Sequence, residues 1–202
     1  MDARLVKQLK EAIPLSYYPQ YNWDLSKDIA EEDLELFKLA LRECPSIDNN
    51  TYFKVHFIRN RDVIQKIYDN LWKDTVGGDV TQTQILANLL VVFEEFDNKN
   101  ILQAWDWTKY VVDRGASVGM AIGYLELVCG LLGYKTGQLP LVWNEDVSER
   151  VKNSIDLDNF PLAMLGIGYG NEGVSPHRSH FNRNVRRSIR RRTPPVYIKV
   201  WE

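Results

Sequence analysis

The chain has 202 residues, enough for one domain with a sizeable core. Its hydrophobic fraction of 45% and charged fraction of 26% are those of an ordinary soluble globular protein. The net charge of −2 is unevenly spread: residues 173–202 hold seven arginines, Lys199 and one acid, Glu202, a tail of +7 that leaves −9 on the first 172 residues. Only two cysteines occur, Cys44 and Cys129, both in apolar helical contexts. They form no zinc spacing and no disulfide framework, and they read as reduced core thiols. The opening Met1-Asp-Ala-Arg-Leu-Val-Lys7 lacks an apolar signal region, which points to a cytoplasmic protein.

In chain order, Asp2 to Ile13 has apolar residues at 5, 9, 12 and 13, a short amphipathic helix stopped by Pro14. Leu15 to Asp24 is a Tyr- and Pro-rich loop. Ser26 to Glu43 reads as a helix, with acids Asp28, Glu31, Glu32 and Asp33 at its positive dipole end and Pro45 as its stop. Tyr52 to Ile58 alternates apolar and polar residues, the pattern of a strand. Asp62 to Lys73 is a helix, and Gly77-Gly78 breaks the chain. Ile85 to Phe93 is a continuous apolar run, as in a strand buried on both faces. Ile101 to Leu132 holds one or two helices. Leu139 to Trp143 reads as a short strand, Val147 to Ile155 as a helix, Phe160 to Tyr169 as a buried strand, and Val196 to Trp201 as a last extended segment. Interleaved helices and strands define an α+β or α/β class.

Within the long helical stretch, Gly115, Gly119 and Gly123 recur every four residues and share one helix face. Each costs the helix about 1 kcal/mol relative to Ala. Three on one stripe therefore call for a compensating close approach by a backbone, a helix or a flat ligand. The rest of the helix is apolar nearly all round, as expected of a domain centre or a subunit interface. Glu126 interrupts this apolar surface, argues against a membrane span and needs a polar partner. Trp105 and Trp107 read as partly buried packing residues. His177 and His180 have no neighbouring acid or Cys to complete a metal site, and Asn70-x-x-Lys73 reads as an exposed helix end.

Three segments, taken together and in order, resemble the nitroreductase family of flavin oxidoreductases. The first is Leu39 to Val55, with Pro45-Ser46 and Asn49 matching that family's Ala-Pro-Ser-x-x-Asn-x-Gln-Pro-Trp, while Thr51, Tyr52 and Phe53 replace Gln-Pro-Trp. The second is the glycine-stripe helix with its ending Leu-Leu-Gly-Tyr-Lys-Thr-Gly137. The third is Leu162 to Tyr169, followed by a late Arg-x-Arg and a closing Val-x-Trp-Glu202. One departure stands out. The family follows its first helix with Arg-Arg-Ser-x-Arg, whose arginines hold the flavin phosphate. Here the stretch is Pro14-Leu-Ser-Tyr-Tyr18, so that only Ser16 survives.

The resemblance implies an α+β fold with a central, mainly antiparallel sheet flanked by helices and a long buried helix at an intertwined homodimer interface. It implies one domain over residues 1–202, with the basic extension 173–202 contributing to the partner subunit. FMN would be the cofactor, NAD(P)H the electron donor and an electron-poor small molecule, such as a nitroaromatic or quinone, the acceptor. No protein side chain need act as nucleophile or base, because the cofactor carries the chemistry. The implied flavin contacts are Ser16, Pro45, Ser46 and Asn49, together with Gln138 and Leu139 in a loop after the central helix. Arg190 and Arg192 fall where the family's late basic phosphate contacts lie, and arginine's planar fork suits phosphate. Two other readings remain: a fold relative that has lost catalysis, and nucleic-acid binding through the Arg tail. The second has only Phe181 as an interleaved stacking aromatic.

Overall fold

The computed structural model describes residues 2–13, 20–71, 82–96, 107–141, 145–171 and 199. Five helices, α1 (Ala3–Ala12), α2 (Glu31–Arg42), α3 (Arg61–Leu71), α4 (Trp107–Leu131) and α5 (Glu145–Ile155), accompany four strands, β1 (Phe53–Ile58), β2 (Leu89–Glu95), β3 (Lys135–Pro140) and β4 (Pro161–Gly168). The strands form one sheet in the order β1-β2-β4-β3, and every pairing is antiparallel. The fold is therefore α+β, which settles the choice that interleaving left open.

Alternation along the strands divides the core into two layers. Leu89, Val91, Phe93, Leu165 and Ile167 face α2 and α4, and meet Phe37, Val118, Ala121, Ile122, Leu125 and Cys129. Leu90, Val92, Leu139 and Met164 face α3 and α5, and meet Ile64, Ile67, Leu71, Val147 and Val151. β2 is buried on both faces, as its unbroken apolar run requires. Its ladder starts only at Leu89, because Thr83–Ile85 form a 3-10 turn. Asn88 then ties three segments together: Nδ2 donates to the carbonyls of Asp24 (2.9 Å) and Lys27 (2.7 Å), and Oδ1 accepts from the Tyr169 N–H. The turn lies against a bare patch of sheet. Gly137 and Gly166 are cross-strand partners, and a Cβ on Gly166 would collide with the Gln84 carbonyl.

Helix starts follow their caps. Asn60 Oδ1 accepts from the N–H groups of Asp62 and Val63 and opens α3. α2 begins at Glu31 rather than at Ser26, since Asp24 Oδ1 accepts from both the N–H and the hydroxyl of Ser26 and holds that stretch in a turn. Asn70 is structural: its amide reaches Ser154 Oγ at 3.1 Å and joins α3 to α5. The segment Gly137–Pro140, expected as a loop, is part of β3, and residues 142–143 of the expected strand Leu139–Trp143 lie outside the described residues, as do 101–106 and nearly all of 196–201.

α4 is one continuous helix with two apolar sides. Val118, Ile122 and Leu125 are buried on the sheet, but Val112, Tyr124, Leu131 and Leu132 are exposed, and Trp107 is 62% exposed rather than packed away. No atom comes within 4 Å of a Cβ placed on Gly115, Gly119 or Gly123, so the stripe meets no described part of its own chain. The glycine that does permit close approach is Gly130, where α1 comes in: a Cβ there would lie 2.9 Å from the Ala12 carbonyl oxygen. Glu126 finds its partner in Thr136, whose hydroxyl donates at 3.1 Å. α4 ends in a Schellman turn: the Tyr134 N–H donates to Cys129 O, the Gly133 N–H donates to Gly130 O, and Gly133 sits at φ +85°.

β1 is an edge strand and carries charge on the α3 side. His56 Nε2 lies 2.6 Å from Oε2 of Glu94, a carboxylate that also accepts from the Asn159 N–H, while Lys54 pairs with Asp158 at 2.7 Å.

Two measurements test this account. Gly133→Ala should lower unfolding free energy in urea by about 1 kcal/mol, the cost of a Cβ in the left-handed region. Burial raises the Glu126 pKa above its ordinary 4.5. Folding thus favours the protonated carboxyl, so the penalty is absent below pH 4.5 and grows as pH climbs through the raised folded value. Glu126→Gln keeps the acceptor for Thr136 and should raise the melting temperature at pH 7 but not at pH 4.

Candidate functional site

Between the last turns of α2 and the exposed side of β1 lies a cleft of about 570 Å³. Its floor is Phe53, Val55 and Phe57, alternate residues of β1 on the α4 side of the sheet. One wall is Lys38, Leu41 and Arg42 of α2, and the rim is Cys44, Ser46, Asn49, Asn50 and Thr51. The volume falls in the range of small-molecule pockets, and an apolar floor with a few polar groups at the edge is their usual lining.

The rim is a short loop in an uncommon conformation. Pro45 stops α2, and Ile47–Asn49 make a single 3-10 turn in which Asp48 and Asn49 both adopt positive φ, 53° and 55°. Asp and Asn tolerate this region better than other non-glycine residues, yet such backbones persist only where neighbours hold them. Here α4 does the holding. The Ile47 N–H donates to Oγ of the fully buried Ser117 at 3.0 Å. Lys109 bridges Asp48 at 3.4 Å and Asp113 at 3.5 Å. The ring of Tyr52, at the loop's end, packs on Tyr110 of α4. Arg114 pairs with Glu95 and lies over the Tyr110 ring, locking the start of α4 to the end of β2.

Among the described residues the lining contains no histidine and no carboxylate. Burial pushes the Cys44 thiol up, so it stays protonated at neutral pH, and its S–H donates to Leu41 O. Hydroxyls, amides and two cations can bind and orient a planar molecule with polar edges, but they supply no nucleophile and no proton-transfer group.

The structure brings Ser46 and Asn49 together on this rim, with Pro45 exposed beside them. It does not bring Gln138 and Leu139 to the same place. They lie on β3, at the opposite edge of the sheet, three strand spacings or roughly 14 Å away. Gln138 is exposed on the α4 side, whereas the Leu139 side chain is packed among core residues on the other face. Ser16, Arg190 and Arg192 lie outside the described residues. Sequence reasoning missed Ser117, Lys109, Arg42 and the β1 floor. Alternation in Phe53-x-Val-x-Phe57 gives that face its apolar character, but whether α2 covers it fully depends on tertiary packing. Ser117, the one polar side chain between Ala116 and Ile122, was the available hint.

This arrangement defines a sheet-and-helix scaffold with a ligand cleft at its edge. Among solved structures the chain superposes on nitroreductases and flavin reductases. The NADPH:FMN oxidoreductase from Vibrio harveyi, complexed with NAD+, matches with a TM-score of 0.65 over 84% of this chain and 72% of its own, at 12% identity. Nitroreductase A from Vibrio parahaemolyticus gives a TM-score of 0.65 over 83% and 70%, at 12% identity. An FMN-dependent nitroreductase from Clostridium difficile gives 0.60 over 77% and 84%, at 12% identity. Sequence comparison finds no matching family model and no matching curated protein. The chain has the nitroreductase fold. No described helix is long and apolar enough to cross a membrane.

Ser117→Ala removes the acceptor of the Ile47 N–H. We expect a loss of about 1 kcal/mol and faster amide hydrogen exchange at residues 46–50, with exchange in β2 and β4 unchanged.

Proposed function

We propose that the protein is an FMN-dependent oxidoreductase that passes hydride from NAD(P)H to an electron-poor small molecule. The observation that carries this reading is the cleft itself: an apolar floor with Ser46 and Asn49 on its rim, set in a fold shared with FMN-dependent enzymes. The residues fit the cofactor, since Phe53, Val55 and Phe57 suit a flat ring and the Ser and Asn side chains suit its polar edge and ribityl chain. Bound FMN would supply the redox chemistry that the lining residues lack. Pro45, Ser46 and Asn49 would orient it, Gln138 and the Leu139 backbone would meet it from a second copy, and Arg190 and Arg192 would neutralise its phosphate.

A homodimer accounts for two observations. The rim and the β3 edge sit at opposite ends of one sheet, so a twofold pairing is what could bring the two halves of the site together. The exposed side of α4, with its glycine stripe between Val112, Tyr124 and Leu131, offers a self-complementary apolar surface. The replacement of the Arg-Arg-Ser-x-Arg motif by Pro14 to Tyr18 favours, as a second reading, a relative that binds flavin or another planar ligand without turnover.

The test is an anaerobic absorbance spectrum of the purified protein with added FMN, before and after NADPH. A flavin spectrum that bleaches supports the oxidoreductase, a bound flavin that does not bleach supports the binding relative, and protein that stays colourless with FMN removes both flavin readings. For the dimer, Gly119→Leu should leave the subunit intact or slightly firmer, because Leu outranks Gly in a helix by about 0.8 kcal/mol and nothing lies within 4 Å of a Cβ there. The same change should convert dimer to monomer in light scattering.

A further inference from the structure

Arg42 is the one charged group of the cleft left without a counter-charge. Of the two cations in the wall, Lys38 pairs with Glu35 at 2.5 Å, whereas the guanidinium of Arg42 has no ion-pair or hydrogen-bond partner among the described residues. No acid is among the described residues that line the cleft, and nearby Asp48 pairs with Lys109. Part of the Arg42 charge offsets the negative end of the α2 dipole. That role, however, does not require the side chain to face a ligand-sized apolar cavity. Below it runs a flat strip, Phe53 to Phe57, roughly 13 Å long at strand spacing.

We propose that this cleft selects planar aromatic ligands that carry an anionic group, and that Arg42 is the residue conferring the charge preference. A ring lies on the β1 strip, its polar edge meets Ser46 and Asn49, and its anion meets the planar fork of Arg42, which matches carboxylate and phosphate oxygens. The anion has two sources, the phosphate of a flavin nucleotide or a carboxylate on the electron acceptor. The first source rests on the flavoprotein reading above, and the second does not.

Two matched pairs of probes separate them, applied to the full-length protein by equilibrium binding: FMN against riboflavin, and 4-nitrobenzoate against 4-nitrobenzamide. The wild type should prefer the anionic member of at least one pair by about fivefold, the upper end for a solvent-exposed ion pair. Arg42→Gln should abolish a preference in the nitro pair and reduce one in the flavin pair, where Arg190 and Arg192 would also meet the phosphate; Arg42→Lys should keep part of it, and added salt should shrink it. Because Arg42 is exposed, both variants should melt with the wild type, and the lysine variant controls for any loss of fold. Preference in the flavin pair assigns the anion to the cofactor phosphate, and preference in the nitro pair assigns it to the acceptor. Equal binding within both pairs, or a preference that Arg42→Gln leaves unchanged, overturns the proposal. Protein that binds neither flavin but distinguishes the nitro compounds through Arg42 retires the flavoprotein reading alone. Protein that binds both flavins with no Arg42 effect in either pair retires this inference alone.

Discussion

The packing of α4 on the sheet is the interaction on which the rest depends. Val118, Ala121, Ile122, Leu125 and Cys129 close over Leu89, Val91, Phe93, Leu165 and Ile167, and each fully buried Leu, Ile, Val or Phe among them contributes about 1.5–3 kcal/mol. That contact fixes the helix along its length, and the helix then fixes everything near the cleft. Ser117 and Lys109 reach the 45–50 loop from the same element that the core immobilises. A backbone with two consecutive left-handed residues would relax if its anchor moved, so the geometry of the rim derives from apolar burial one turn away. The same placement turns the opposite apolar side of α4 outward.

The elements were largely legible in the sequence. The period of α1 and the alternation of β1 appear where patterning puts them, because local sequence and burial agree at those sites; the apolar run Ile85–Phe93 becomes a strand only from Leu89, and the stretch read as one or two helices is a single helix from Trp107. The errors have local causes. Ser26 to Ala30 lost its helix to the Asp24 side chain, a competitor that periodicity does not register. The turn before β2 depends on Asn88 and on two glycines from other strands, contacts that no window of neighbouring residues contains. For α4, an all-round apolar composition predicted burial, but composition does not say whether the burying surface belongs to the same chain.

The candidate site was half legible. Pro45, Ser46 and Asn49 converge because they are close in sequence and share one turn. Gln138 and Leu139 stand across the sheet from them, which strand order determines and a motif does not. The described lining of the cleft, hydroxyls, amides, a protonated thiol and cations, is suited to holding and orienting a small molecule.

β1 has a further consequence for the chain before assembly. An open strand edge is a template on which unrelated strands can zip, and folded proteins blunt such edges with charge. Lys54 and His56, held in place by Asp158 and Glu94, set alternating polar groups along this margin. The outermost described strand thus keeps one face apolar while the charges on its other face work against edge-to-edge pairing.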